Sequence, residues 1–253
     1  MINSAREYLR EGWRTVRPVW PRALLVIVLW VVLTNVASLA CFVPLLVVGG
    51  PLTGGLYVFF AKRLVGLEAT VGDLFLGFRR FGPTAIVYLV ATIVFFLTLM
   101  MLWAPVALLD ALGVVETEDF EAMPVAAQLI LGPYALLAFL LASTAVGVVF
   151  TFGMPVALFG VRATRGAVSR TRENLGRVLS LNLTGGILVV VASVVGILLC
   201  LVGLVILQPL ALAVIIVAQL ALFRDTAGLD AGALAPFATP GRGAPEAAFS
   251  SRA

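Results

Sequence analysis

The chain has 253 residues, of which 62% are hydrophobic and 12% are charged, and its net charge is +4. Soluble domains typically contain about 25% charged residues, so this composition disfavours a water-soluble globule. Histidine, the commonest metal ligand, is absent. The two cysteines, Cys41 and Cys200, form no CxxC pair, which disfavours a redox or zinc-binding protein.

Four stretches of the chain contain no charged residue. They span residues 23–61, 81–109, 122–161 and 178–223. A helix needs about 20 apolar residues to cross the hydrocarbon of a membrane. Each stretch is long enough for at least one crossing, and the distribution of charge described below assigns two crossings to the first and last stretches and one to each of the others. We therefore expect an all-α membrane protein whose residues 1–225 form six transmembrane helices in three hairpins.

A short amphipathic segment precedes each predicted hairpin. Residues 1–22 contain the first, a cytoplasmic interfacial helix with a capping box at Ser4 and Glu7. Thr70 and Asp73 give the second segment a similar start. The apolar positions are Tyr8, Leu9, Trp13, Val16 and Trp20 in the first segment, Val71, Leu74, Phe75, Phe78 and Phe81 in the second, and Val168, Thr171, Leu175 and Val178 in the third. Basic amphipathic segments of this kind lie in the membrane interface. Two interpretations stay open: the segments only anchor the hairpin ends, or they bind anionic lipid head groups or a protein partner.

The distribution of charge predicts the topology. Lys and Arg residues occur before residue 23, at 62–80, at 162–177 and after 223, whereas residues 110–121 carry five acids and no base. Cytoplasmic loops carry the Lys and Arg excess, so an even number of helices separates neighbouring basic groups. Both termini are then cytoplasmic, and we expect the chain in a bacterial plasma (inner) membrane. An alternative with a re-entrant segment at residues 49–51 would place Lys62 and Arg63 outside, against this rule.

The predicted return helices each contain a proline: Pro51, Pro155 and Pro209. Proline kinks a helix, and kinked helices either pack irregularly or surround a cavity. The polar residues within spans are Asn35, Ser38, Thr53, Ser143, Thr144, Asn182, Ser193, Gln208 and Gln219. Such side chains commonly join helices, although Asn35 and Gln208 could line a polar path.

Other positions predict contacts between helices or a lack of structure. Gly50 and Gly54, four residues apart, predict a close helix contact. Cys41 and Cys200 lie near the predicted outer ends of their spans, where they either form a disulfide or remain two buried thiols. Residues 226–253 are rich in Ala, Gly, Pro and Ser, which predicts a disordered cytoplasmic tail.

Two parts of the sequence resemble known families. The first comprises Gly-Pro-Leu-Thr-Gly-Gly at 50–55 and Gly-Asp-Leu-Phe-Leu-Gly-Phe-Arg-Arg-Phe at 72–81, and the second runs from Ala-Val-Ser at 167–169 through Asn174 to a glycine-rich hairpin with Gln208 and Pro209. Over most of residues 1–228 the chain resembles a prokaryotic group that includes the YciC-like and domain-of-unknown-function 975 families and the membrane domain of some glycerophosphodiester phosphodiesterases. The resemblance implies a six-helix membrane domain of unknown biochemistry and supplies no catalytic residues.

The uncharged spans also limit the possible functions. Intramembrane hydrolysis needs a nucleophile with a base, or metal ligands, and ion-coupled transport commonly uses intramembrane charges. We therefore predict a non-enzymatic protein without catalytic, cofactor-binding or metal-binding residues and without a nucleic-acid partner. The leading hypothesis is a scaffold, assembly or lipid-associated accessory protein that contacts the bilayer, anionic head groups and a membrane-protein partner. The competing hypothesis, motivated by the prolines, is a transporter or permeation pathway for an uncharged or lipid-like substrate.

Overall fold

The computed structural model of the chain describes residues 4–40, 42–111, 125–160, 174–198, 202–229 and 231–237. These residues are almost all helical, and none of them lies in a β-strand. Five helical stretches are long and apolar enough to cross a membrane, namely Ala5–Leu39, Val71–Leu108, Pro133–Phe159, Leu175–Val195 and Ile206–Ala227. The all-helical class is thus confirmed, and the chain is compatible with several membrane crossings.

Seven α-helices follow one another in the described parts of the chain. They are α1 (Ala5–Val16), α2 (Trp20–Ala40), α3 (Phe42–Leu64), α4 (Phe81–Ala111), α5 (Val125–Phe159), α6 (Leu175–Leu198) and α7 (Val202–Ala227). A 3-10 turn, Arg17–Val19, joins α1 to α2. A longer 3-10 helix, Val71–Arg80, runs directly into α4, and a short one, Ala235–Phe237, follows α7.

Helix α3 corresponds to a predicted span but is not among the five apolar stretches. It contains Pro51 between two pairs of glycines, and Lys62 and Arg63 lie in its last turn. Residues 42–64 form one continuous helix that runs through Pro51. Pro155 and Pro209 lie inside α5 and α7.

Helices α3, α5 and α7 form the centre of the bundle. Helices α3, α5 and α7 contact one another, and each of α2, α4 and α6 contacts two of them. Residues 49–62 of α3 and 213–223 of α7 are buried without interruption. The outer helices instead expose large apolar side chains, such as Leu97 and Met101 on α4 and Ile187 and Val191 on α6. Exposed apolar surface of this extent marks a face that meets lipid or a protein partner.

The first two amphipathic segments pack against central helices. Helix α1 lies on α7 and buries Tyr8, Gly12 and Val16, one residue in every four. Trp13 and Trp20 are each 48% exposed, so they lie outside the row of residues that packs on α7. The buried row continues through Gly12 because only a glycine fits the close approach of the α7 backbone, where a Cβ would come within 2.5 Å of the Val214 carbonyl oxygen.

The second segment, Val71–Arg80, also has one buried row and one exposed row. Because it is a 3-10 helix, side chains three residues apart share a face. Leu74 and Gly77 form the buried row against α3, whereas Phe75 and Phe78 form an exposed row one position further along. The third segment falls largely on residues 161–173, which lie outside the described residues.

The chain that follows α7 also packs against the bundle. Leu229, Leu234 and Phe237 are buried, and the Phe237 ring meets Phe159 of α5 edge to face, with ring centroids 5.8 Å apart. Arg79 donates a hydrogen bond to the backbone carbonyl of residue 236 at 2.6 Å. The disorder predicted from residue 226 onward is therefore wrong for residues 228–229 and 231–237, because three apolar side chains in this polar segment are buried. Residues 238–253 lie outside the described residues.

Candidate functional site

Four polar side chains in the core bond to one another across four helices. Tyr57 of α3, Thr151 of α5, Asn182 of α6 and Gln219 of α7 are each at most 5% exposed. The Tyr57 hydroxyl donates to Gln219 Oε1 at 2.5 Å, and Gln219 Nε2 donates to Asn182 Oδ1 at 2.8 Å. Asn182 Nδ2 donates to Thr151 Oγ1 at 3.0 Å. This buried amide network joins all three central helices to α6.

The buried amide network ends on backbone carbonyl groups. Thr151 Oγ1 donates to the Gly147 carbonyl at 2.7 Å, and Asn182 Nδ2 also donates to the Val178 carbonyl at 2.9 Å. Gly147 makes room for the network, because a Cβ at this position would overlap Asn182 Oδ1. Burying an amide without hydrogen-bond partners is costly, so these bonds favour one relative position of the four helices.

The chemistry available to the buried amide network is limited to hydrogen bonding. It contains two amides and two hydroxyls, and no carboxylate, amine, imidazole or thiol. Such a set supplies no general base for a hydroxyl nucleophile. Among the described residues, no group of three or more His, Cys, Asp or Glu lies together in a way that could hold a metal ion.

The remaining polar residues of the spans lie outside this network. Asn35 and Gln208 are exposed on α2 and α7, and Asn35 Nδ2 donates to the Val31 carbonyl of its own helix at 2.8 Å. Ser38, Thr144 and Ser193 also donate to carbonyls of their own helices, Ser143 is half-buried, and the buried Thr53 hydroxyl has no partner among the described residues. Asn35 and Gln208, which could have lined a polar path, therefore do not face the core.

The prolines also lie in packed surroundings. Pro51 and Pro155 are buried, and Pro209 is half-buried. The predicted close contact at Gly50 is confirmed, because a Cβ there would lie 2.7 Å from the Thr84 carbonyl oxygen of α4. Next to Pro51, helix α3 is thus covered by helix α4.

The sequence pointed to two members of the buried amide network and missed the other two. Asn182 and Gln219 stand out as amides within apolar runs, whereas Tyr57 and Thr151 resemble ordinary span residues. A tyrosine in the middle of an apolar helix is itself a signal, because a buried hydroxyl usually has a hydrogen-bond partner. For Thr151 no such signal exists, since threonine in a helix can bond to the preceding turn.

A second polar contact lies where the 3-10 helix crosses α3. Lys62 Nζ lies 2.7 Å from Asp73 Oδ1, and both side chains are at most 4% exposed. The other carboxylate oxygen, Oδ2, accepts a hydrogen bond from the Thr70 backbone N–H at 2.8 Å, which completes the capping box predicted by the sequence pattern. The buried carboxylate therefore has one charged and one backbone partner, and it ties the end of α3 to the start of the 3-10 helix.

Glycines allow the backbones to touch at the same crossing. A Cβ on Gly55 would overlap the Leu74 carbonyl, and a Cβ on Gly77 would overlap the Pro51 carbonyl. These glycines belong to the segments 50–55 and 72–81, which carry the family resemblance. The two segments thus pack against each other and form one structural unit.

Helix α1 meets α7 through a similar arrangement. Arg224 Nη1 lies 2.8 Å from Glu11 Oε1, and the Tyr8 hydroxyl donates to Asp225 Oδ2 at 3.4 Å. In both crossings an acid on the amphipathic segment pairs with a base near the end of a central helix. The corresponding residues of the third segment lie outside the described residues, as do Cys41, Cys200 and most of the acidic loop.

Comparison of the chain with protein-family models, with curated proteins and with solved structures finds no match. The resemblance to the YciC-like group therefore stays a prediction.

Proposed function

We propose that the chain is a non-enzymatic, multi-pass membrane protein that acts as a scaffold, assembly or lipid-associated accessory protein. The observation that carries this proposal is the buried amide network. Its polar groups bond to one another and to backbone carbonyls and hold four helices together. A polar permeation pathway would instead need polar groups directed into a cavity, and Asn35 and Gln208 are exposed on the outside.

The proposal includes six spans in three hairpins, with both termini cytoplasmic, in a bacterial plasma membrane. Its support is the contact of each outer helix with two central helices, together with the continuous helix α3. A reporter that is active only in the periplasm, fused after Glu118, is expected to give a signal. The same reporter fused after Arg80 or Arg172 is expected to give none, and the opposite pattern would overturn the topology.

The function is tested by purifying the tagged full chain from its native membrane in mild detergent. Mass spectrometry then identifies the proteins and lipids that co-purify in fixed ratio. We expect a stoichiometric membrane-protein partner whose recovery falls for Asn182→Leu, which breaks the network. Asn35→Leu is the matched control, because Asn35 lies in a span but bonds only to its own helix.

A transport function gives a different result in proteoliposomes. If the purified chain has no stoichiometric partner and accelerates the movement of a fluorescent phosphatidylcholine between leaflets, the accessory function is wrong. Protein-free vesicles and vesicles with an unrelated helical membrane protein are the controls. Transport that is abolished by Asn182→Leu but unaffected by Asn35→Leu would assign the pathway to the bundle centre.

A further inference from the structure

Four arginines form one continuous face along α1 and the first residue of the turn that follows it. Arg6, Arg10, Arg14 and Arg17 are all exposed, and they lie opposite the residues that pack on α7. With about 100° of rotation per residue, they and Trp13 fall within about 100° of the helix circumference. We refer to these five residues as the arginine face.

The arginine face makes no ion pair with the described residues of the protein. The ion pairs of the described residues are Lys62 with Asp73 and Arg224 with Glu11 and Asp225, and none of them involves the arginine face. Like charges four residues apart on a helix destabilise it. This face is therefore expected to bind anions, while the opposite face of α1 is held in place by α7.

The surroundings of the arginine face identify the class of anion. Trp13 and Trp20 are each 48% exposed, and exposed tryptophan is typical of the head-group layer of a membrane. The turn Arg17–Val19 connects α1 directly to α2, and both belong to the first helical stretch that is long and apolar enough to cross a membrane, Ala5–Leu39. This connection keeps the arginine face close to the bilayer. Guanidinium groups bind phosphate through paired hydrogen bonds.

We propose that the arginine face binds the phosphate groups of anionic phospholipids in the bilayer that holds the chain. This inference rests on the proposed membrane function and deepens it, because it names the lipid class and the residues. Nucleic acids and acidic proteins would need no neighbouring tryptophans and no connection to a span, so the observations favour lipid.

The test uses the full chain in neutral detergent micelles that contain a trace of phosphatidylglycerol or phosphatidylcholine. Native mass spectrometry measures how much of each lipid the protein retains. We expect preferential retention of phosphatidylglycerol, and weaker binding by about 25-fold in the double variant Arg10→Gln/Arg14→Gln, at about fivefold for each arginine. Arg10→Lys/Arg14→Lys keeps the charge and is expected to retain most of the binding.

A charge-matched control separates this face from the overall charge of the chain. Arg242→Gln/Arg252→Gln also removes two positive charges, and it should leave lipid retention unchanged. The proposal is overturned if the unaltered chain retains both lipids equally, or if the two double glutamine variants behave alike. It is also overturned if inorganic phosphate competes as strongly as the lipid. These results are independent of partner recovery and of lipid movement between leaflets, so the accessory function can fail while the lipid site stands.

Discussion

Replacing Asn182 with leucine is expected to loosen the contact between α6 and the central helices. The side chains have similar size, so the change removes hydrogen bonds with little change in packing volume. Asn182 accepts one bond from Gln219 and donates one to Thr151, and both of these bonds join different helices. The leucine also leaves Gln219 Nε2 without its acceptor in a buried site.

The magnitude follows from the number of bonds between helices. Side-chain hydrogen bonds between membrane helices contribute about 0.6 kcal/mol on average and up to about 1.7 kcal/mol. Two such bonds give a loss of about 1 to 3 kcal/mol in the free energy of unfolding for Asn182→Leu. Asn35→Leu removes one bond within a single helix at an exposed position, and its effect is expected to stay within about 0.5 kcal/mol.

The assay is unfolding in mixed micelles with a rising mole fraction of dodecyl sulfate, followed by circular dichroism and tryptophan fluorescence. The midpoint should fall for Asn182→Leu and remain unchanged for Asn35→Leu. Equal midpoints for the two variants would refute the argument that the buried amide network stabilises the bundle. A loss well above 3 kcal/mol would show that the leucine disturbs packing as well.

Three further predictions concern other contacts and use the same unfolding assay. Lys62→Met leaves a buried carboxylate without its charged partner and should lower the free energy of unfolding by about 3–5 kcal/mol. The double variant Lys62→Met/Asp73→Asn should recover most of that loss. If the double variant is no more stable than Lys62→Met, the result argues against the ion pair. Gly77→Ala should destabilise the protein by about 1–3 kcal/mol because the new Cβ overlaps a backbone carbonyl. The control Gly82→Ala places its Cβ in open space and should be neutral. Equal effects of the two variants would contradict the backbone contact at Gly77. Phe237→Ala should cost about 3 kcal/mol because its ring is buried, and an unchanged midpoint would mean that this segment does not pack on the bundle in solution.

The helical content and the caps could be predicted from the sequence. Long uncharged stretches are found in helices because backbone polar groups away from water must bond within the chain. The capping boxes at Ser4 and Thr70 form as their residue patterns predict. These features depend on neighbouring residues alone, so a local pattern is enough to predict them.

The positions of side chains relative to the core were harder to predict, because they depend on distant partners. The periodicity of α1 does not show that Gly12 is buried and Trp13 exposed, because the close approach of α7 decides which of the two is buried. Burial of Phe237 depends on Phe159, which is distant in sequence, and composition alone indicates a polar tail. Likewise, the role of Tyr57 becomes visible only when Gln219 is beside it.

The docking of α1 on α7 has a consequence for biosynthesis. The Glu11–Arg224 pair joins residues 213 positions apart, so α1 is synthesised long before its partner. At about 5–20 residues per second, the interval is about 10 to 40 s. During that time the side of α1 that later packs on α7 has no native partner. The arginines and tryptophans on the rest of α1 can hold the helix at the membrane. Closure of the first helix onto the last is therefore a late step of assembly, and chaperones or insertion factors that act on this protein would meet it with α1 still undocked.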